Sequence, residues 1–417
     1  MGLVLEEVTG KKQVKAFYNV ARQLYRDDPA WICPPDRHIG HVFSPTHNTY
    51  FQHGCARRWV LKDETGKYIG RIAAFIDRRK ATSDRVPVGG IGFFECINSQ
   101  PAADALFATA QSWLAANGMQ GMDGPINFGA NDRYWGLLVE GFTETPFTTN
   151  YNKPYYRELM EQYGFRTYYE MVSSKVDLTK PLDPRFYRIA GWISSKEGLS
   201  FRHPTRRSLP EYAAYFREIY NDAWQLHEEY IPLTPAQAAK LAKDLRHVLI
   251  SSFNPFAFVR GEPAGFIICT PDMNQLLKPF KGKLNLFRLL VLKWRSRNNF
   301  AWYRKRKILT RGHAIAIGIK QKFQQYGLES GMIMSSLEAV RKLGFESIEL
   351  RWAGDFNEKV IRLHKAVGAV PVRKHITYRY FFDKQTPVKS YTAIPLSRAG
   401  RQSSMSSPGS LNNKLFQ

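Results

Sequence analysis

One order of elements can be read twice along this chain, and a duplicated order restricts the fold more than any single motif does. In the first copy, apolar spacing predicts a helix over 14–26, a strand pair over 58–62 and 68–76 around the turn Asp63-Glu-Thr-Gly66, and a strand over 91–97. A helix over 102–117, a short helix over 155–164 and a strand over 168–176 complete it. The second copy predicts helices over 209–226 and 235–247 and strands over 256–260, 265–270 and 314–319. It continues with a helix over 328–343, a strand over 347–352, a helix over 357–366 and a strand over 377–382. Strands interleaved with helices imply an α/β protein with mixed central sheets flanked by helices. The chain has 417 residues, 44% of them hydrophobic, which is enough to fill more than one core. Pro181 and Pro184 punctuate the join, so two domains are expected at 1–185 and 196–383. From 384 to 417 the sequence is rich in Ser, Pro and Asn, the composition of a disordered tail.

Charge is unevenly spread. Lys and Arg number 60 against 36 Asp and Glu, a formal net charge of +24, which calls for an anionic partner. Residues 276–311, inserted in the second copy, hold twelve Lys or Arg and no acid. The core of this insert, 284–294, is apolar nearly all round and too short to span a bilayer, with Trp294, Phe300, Trp302 and Tyr303 at or after its end. These are features of a segment lying in an anionic membrane interface. A solvated charge run beside a buried hairpin is the plain alternative. Nucleic acid ranks last, since the chain has no zinc, RNP or helix-turn-helix signature. No apolar run approaches membrane-spanning length and the N-terminus does not read as a secretion signal, so the expected place is the cytoplasm, peripheral at the inner membrane. Cys33, Cys55, Cys96 and Cys269 lack metal-site spacing, and no metal is expected.

The stretch Gly318-Ile-Lys-Gln-Lys-Phe-Gln-Gln-Tyr-Gly-Leu-Glu-Ser330 joins a short apolar strand to a helix whose stripe is Leu328, Met332, Ile333, Leu337 and Val340. A helix starting at Gly327 offers free N–H donors to a phosphate. Strand, glutamine/glycine turn, helix, strand, then Asp355-Phe-Asn357 and a helix ending near Gly368 resemble the GNAT superfamily of acyl-CoA-dependent N-acyltransferases. Gln324, Gln325, Tyr326 and Gly327 are similar to that family's phosphate loop, with Glu329 at its last small position. Tyr25-Arg-Asp-Asp-Pro-Ala-Trp31, Gly70-Arg-Ile-Ala-Ala74, Gly92-Phe-Phe-Glu-Cys96, Gly124-Pro-Ile-Asn-Phe128, Gly136-Leu-Leu-Val-Glu-Gly-Phe142 and Asp272-Met-Asn-Gln275 resemble a narrower group of bacterial tandem GNAT proteins. Some members of that group are proposed ceramide synthases.

The resemblance implies two tandem GNAT-like domains, the first a degenerate copy without a phosphate turn and the second holding acyl-CoA or acetyl-CoA. Lys320, Lys322, Gln324, Gln325, Tyr326, Gly327, Leu328 and Asn357 would contact the co-substrate. The acceptor would be an amine, most plausibly a membrane lipid or long-chain base. Acyl transfer needs a base, a donor for the carbonyl oxygen and a proton for the thiolate. A backbone N–H on the strand at 314–319 would serve the oxygen. His364 stands where the family often has a leaving-group tyrosine, although it also fits an exposed helix face beside Arg362 and Lys365. Asp272 and Glu95 are the candidate bases, with solvated or capping roles as the alternative. Asn127, Asn131 and Asn274 sit in loops and could orient a polar group, or simply form turns. Two other functions stay open: a non-catalytic tandem fold binding an anionic surface or partner, and tRNA-dependent aminoacyl transfer.

Overall fold

Asp63 ties the first hairpin. Its Oδ1 accepts the amide N–H of Thr65 and of Lys67, each at 3.0 Å, and Gly66 takes the left-handed backbone (φ 80) that closes the turn. In the computed structural model, which describes residues 2–81, 86–129, 133–225, 232–389 and 391, this hairpin belongs to a sheet of 13 strands. Asn131, residue 390 and residues 392–417 of the expected tail lie outside the described residues.

The first half runs β1 (Val4–Glu7), α1 (Lys11–Leu24), α2 (Asp36–Val42), β2 (Gly54–Lys62), β3 (Tyr68–Asp77), α3 (Arg78–Ala81) and β4 (Val88–Cys96). It continues with α4 (Gln100–Ala116), β5 (Gly121–Gly124), β6 (Leu137–Glu140), α5 (Tyr156–Tyr163) and β7 (Arg166–Asp177). Helix α6 (Pro184–Ser194) leads into the second half: β8 (Leu199–Arg202), α7 (Leu209–Trp224), α8 (Pro235–Leu245), β9 (Phe256–Val259) and β10 (Glu262–Pro271). The basic insert forms α9 (Asn274–Leu277), α10 (Leu286–Arg295) and α11 (Arg297–Arg304). Then come β11 (Arg311–Ile319), α12 (Leu328–Lys342), β12 (Ser347–Gly354), α13 (Glu358–Ala366) and β13 (Val370–Phe381).

The strand order is β1-β2-β3-β4-β5-β13-β7-β12-β11-β10-β9-β8, with β6 also paired to β13. The halves therefore exchange their last strands. β13 pairs with β5 of the first half (Tyr378 opposite Gly124), and β7 pairs with β12 of the second (Val176 opposite Ile348). Each core is completed by the other half: Ile376, Tyr378 and Tyr380 pack with Leu106, Phe107 and Tyr156, while Val176 and Leu178 pack with Leu337 and Val340. A full aliphatic or aromatic burial is worth about 1.5–3 kcal/mol, so the exchange is a large term for both halves.

In the insert, Leu292 is buried and anchors α10, whereas Leu286 (72%), Phe287 (73%), Leu290 and Trp294 (59%) are exposed. Phe300 and Tyr303 are core residues, and Trp302 is sandwiched by the Arg295 and Arg306 guanidinium groups at 4.0 and 4.2 Å. Of the four aromatics expected at an interface, only Trp294 shares the exposed face. Among the described residues no helix is long and apolar enough to cross a membrane. Tyr391, within the segment expected to be a tail, packs against Tyr168, Tyr169 and Phe356.

Candidate active site

Both halves contain a parallel strand pair that parts. β4 pairs with β5 only at Val88, Gly89 and Gly90, and β11 with β12 only from Arg311 to Ala314. Beyond these points the inner edge of β4 or β11 has no neighbouring strand among the described residues, as expected for the stretch 314–319. In β4 the parting is built into the sequence: a Cβ at Gly92 would lie 1.9 Å from the Ile126 carbonyl oxygen, so only glycine permits that crossing.

In the first half the gap is a narrow cavity of about 70 Å³. Trp31, Ile32, Pro34 and Ile39 form an apolar wall, and Phe93, Phe94 and Glu95 come from β4. The loop between β6 and α5, together with Asn274 of the insert, closes it. Phe93, Tyr134 and Thr148, all lining residues, hold left-handed backbone (φ 52, 51 and 69) that costs a non-glycine residue roughly 1–3 kcal/mol and clusters at functional sites.

Glu95 is the buried carboxylate of this cavity, 8% exposed. Its Oε2 accepts from the hydroxyls of Tyr25 (2.7 Å) and Tyr156 (2.8 Å), and its Oε1 lies 3.3 Å from Nη2 of Arg71. Arg71 is itself fixed by donating Nη1–H to the Phe17 carbonyl at 2.7 Å. Burial pushes the Glu95 carboxyl above its ordinary value, with the Arg71 charge and both phenols opposing. The Tyr156 hydroxyl also accepts the Cys96 N–H (3.0 Å), and the Tyr155 hydroxyl donates to the Cys96 carbonyl (2.8 Å).

The other expected base, Asp272, is a clasp. Its Oδ1 accepts from the amides of Phe147 (3.2 Å) and Asn274 (3.0 Å), and its Oδ2 pairs with Arg311 at 3.0 Å. Burial raises its carboxyl, Arg311 opposing. Asn274 donates Nδ2–H to the Thr145 carbonyl at 2.8 Å, so the pair joins the insert to the cavity's closing loop. Asn127 is buried with its Oδ1 unpartnered among the described residues. His364 is buried on α13 rather than exposed, and desolvation pushes it down to about 4, which leaves it a neutral imidazole. Four strand steps separate β4 from β12, on which α13 packs, or roughly 19 Å at about 4.8 Å each. Glu95 and His364 therefore belong to different parts of the sheet.

The turn before α12 does not offer the expected cationic cradle for a pyrophosphate. Lys320 is buried and paired to Glu218 (2.5 Å) and Glu262 (2.7 Å), and Lys322 also pairs with Glu262 (2.8 Å). Gln324 donates to the Ile319 carbonyl (3.3 Å) and accepts from Lys359 (2.8 Å). Gln325 is exposed, Tyr326 packs on Phe323, Leu328 is core, and Asn357 caps α13 by accepting the Val360 N–H at 3.3 Å. Gly327 is left-handed (φ 66), as a turn into a helix requires, but Ile193 of α6 sits where a Cβ would be. The Glu329 carboxylate accepts its own amide N–H at this helix start and is raised by burial, with Oε2 unpartnered among the described residues. The chain thus places a carboxyl of its own at this helix start. The half expected to be the degenerate copy carries a partly buried cavity with a carboxylate in its wall.

Tyr25, Arg71, Tyr134 and Tyr156 were missed by sequence reasoning. Arg71 carried a readable signal: an arginine inside the apolar run of β3 has to meet a buried acid. The tyrosines carried none, because only the fold brings residues 25, 95 and 156 together.

No family model matches the chain. It is similar to Protein YghO of Escherichia coli K12, 25% identical over 380 residues that cover 88% of this chain and 93% of that protein. It is similar as well to a bacterial ceramide synthase of Caulobacter vibrioides, 27% identical over 376 residues covering 88% and 94%. Among solved structures, a tandem GNAT protein from the clavulanic acid biosynthesis pathway superposes with a TM-score of 0.55 at 12% identity, covering 91% of this chain and 99% of that one. A GCN5-related glucosamine N-acetyltransferase region of a fungal β-N-acetylglucosaminidase gives a TM-score of 0.54 at 10% identity, covering 91% and 38%. The chain has the tandem GNAT fold.

Proposed function

We propose that this chain is an N-acyltransferase that moves an acyl group from acyl-CoA to the amine of a membrane lipid, a long-chain base being the favoured class, with its reaction centre at Glu95. The observation that carries this reading is a buried carboxylate of raised proton affinity, held by two phenols and an arginine beside a parted strand pair. A bound thioester supplies the carbonyl carbon that the amine attacks and the sulfur that leaves. As the N–C bond forms and the C–S bond breaks, Glu95 takes the proton from nitrogen. The Tyr156 hydroxyl, bonded to Glu95, can pass a proton to the departing thiolate and recover one from the carboxyl. The apolar wall of Trp31, Ile32, Pro34 and Ile39 keeps water from the thioester.

Support for a lipid acceptor comes from the insert and from the relative named a ceramide synthase. Gly282, four residues before α10, lies against Cys33 and Pro34, and its carbonyl accepts the Asp36 N–H at 3.1 Å. The apolar wall of the cavity is thus joined to a helix whose exposed Leu286, Phe287, Leu290 and Trp294 stand among Lys and Arg. That combination suits an anionic membrane surface. The test is incubation of the full chain with palmitoyl-CoA and long-chain amines in anionic vesicles, with N-acyl products read by mass spectrometry. Product formed above a protein-free control supports the reading. Acyl-CoA binding without product from any amine would favour the non-catalytic alternative, for which the self-filled turn before α12 speaks.

A further inference from the structure

The polar side chains around the cavity are almost all spent within the fold. Glu95 is engaged by Tyr25, Tyr156 and Arg71. Asn150 donates to the Gly136 carbonyl at 2.8 Å, and Asn152 is held by both backbone groups of Leu138. Tyr151 donates to Asp28 at 3.0 Å, and Asn274 to Thr145. Tyr134 differs. Its hydroxyl is buried and has no hydrogen-bond partner among the described residues. Its ring is fixed edge-on against His38 at 5.6 Å and tilted against Phe93 at 6.0 Å. Its amide donates to the Thr148 carbonyl at 2.7 Å, a bond between two left-handed residues. Tyr134 lines the cavity together with Ile32 and Pro34 of the apolar wall, and its hydroxyl lies in the field of Arg133 first and of Cys33 second. A buried hydroxyl without a partner needs an explanation, and an incoming polar group would complete this one.

Resting on the function proposed above, we propose that Tyr134 is the specificity-determining contact for the acceptor, pairing its hydroxyl with an oxygen carried near the amine, so that an amino alcohol is preferred over a plain alkylamine. A site built to pair with a substrate hydroxyl discriminates strongly against the analogue that lacks it.

The test uses the full chain, palmitoyl-CoA, and two probes of equal chain length in the same vesicles: octadecylamine and the corresponding vicinal amino alcohol. Wild type should favour the amino alcohol in kcat/KM by about tenfold or more. Tyr134→Phe should bring the ratio near one by loss on the amino alcohol alone. Its melting temperature should hold or rise, since no group in the fold loses a bond. A ratio unchanged in Tyr134→Phe, an equal slowing of both amines, or a lowered melting temperature would overturn the assignment. Transfer by wild type to both amines without preference overturns it while leaving the reaction centre in place. Transfer to neither overturns the proposed function as well.

Discussion

Tyr156 bridges Glu95 and the β4 backbone: its phenol donates to the carboxylate at 2.8 Å while its oxygen accepts the Cys96 N–H at 3.0 Å. Replacing Tyr156 by Phe removes both bonds and leaves two buried groups short of a partner. Stability should fall by roughly 1–3 kcal/mol in denaturant titration. Turnover should fall by about tenfold or more, since the relay to sulfur is lost. Unchanged turnover in the folded variant would remove Tyr156 from the chemistry.

The pH dependence of Glu95 follows from its raised proton affinity. The fold favours the protonated carboxyl, so this stabilising contribution is complete below the ordinary value of 4.5 and is lost as pH rises through the folded-state value. Glu95→Gln keeps a neutral side chain, so its stability relative to wild type should increase as pH rises across that window. The base must be ionised to act, so the acid limb of the rate profile should lie above 4.5. A limb at or below that value would contradict the environment described.

Strand exchange predicts that neither half is self-sufficient. Residues 1–185 alone lack Ile376, Tyr378 and Tyr380 from their core. At about 1.5–3 kcal/mol each, the deficit is comparable to the ~5–15 kcal/mol stability of a whole domain. The fragment should show no cooperative unfolding by circular dichroism. Cooperative unfolding like that of the full chain would mean that the exchange is dispensable.

Lys320 is read here as a structural cation. Lys320→Met removes the ion pairs to Glu218 and Glu262, and because both carboxylates reach solvent and Glu262 keeps Lys322, stability should fall by no more than about 1 kcal/mol. Calorimetric titration of acyl-CoA into the folded variant should give wild-type affinity. A tenfold loss there would restore the turn before α12 as the phosphate site.

Much of the architecture was legible because its signals are local. The turn at Asp63 and Gly66 and the stripe of α12 depend on neighbours a few residues away. The burial of Glu95 was legible because a carboxylate ending an aromatic strand stands out. What failed was non-local. Lys320 and Lys322 looked available, since Glu218 is 102 residues from Lys320 in sequence. β5, with two glycines in four residues, has no strand signature and is held by β4 and by β13 from the far end of the chain. His364 looked exposed beside Arg362 and Lys365, but it faces inward on its helix.

The most direct measurement compares Glu95→Gln with His364→Gln in single-turnover transfer from palmitoyl-CoA to a long-chain amine in anionic vesicles, with product quantified by mass spectrometry. The account predicts that Glu95→Gln loses roughly a hundredfold or more while staying folded, and that His364→Gln stays within a few-fold of wild type. The reverse pattern, with Glu95→Gln active and His364→Gln inactive, would place the chemistry in the second half and contradict the account.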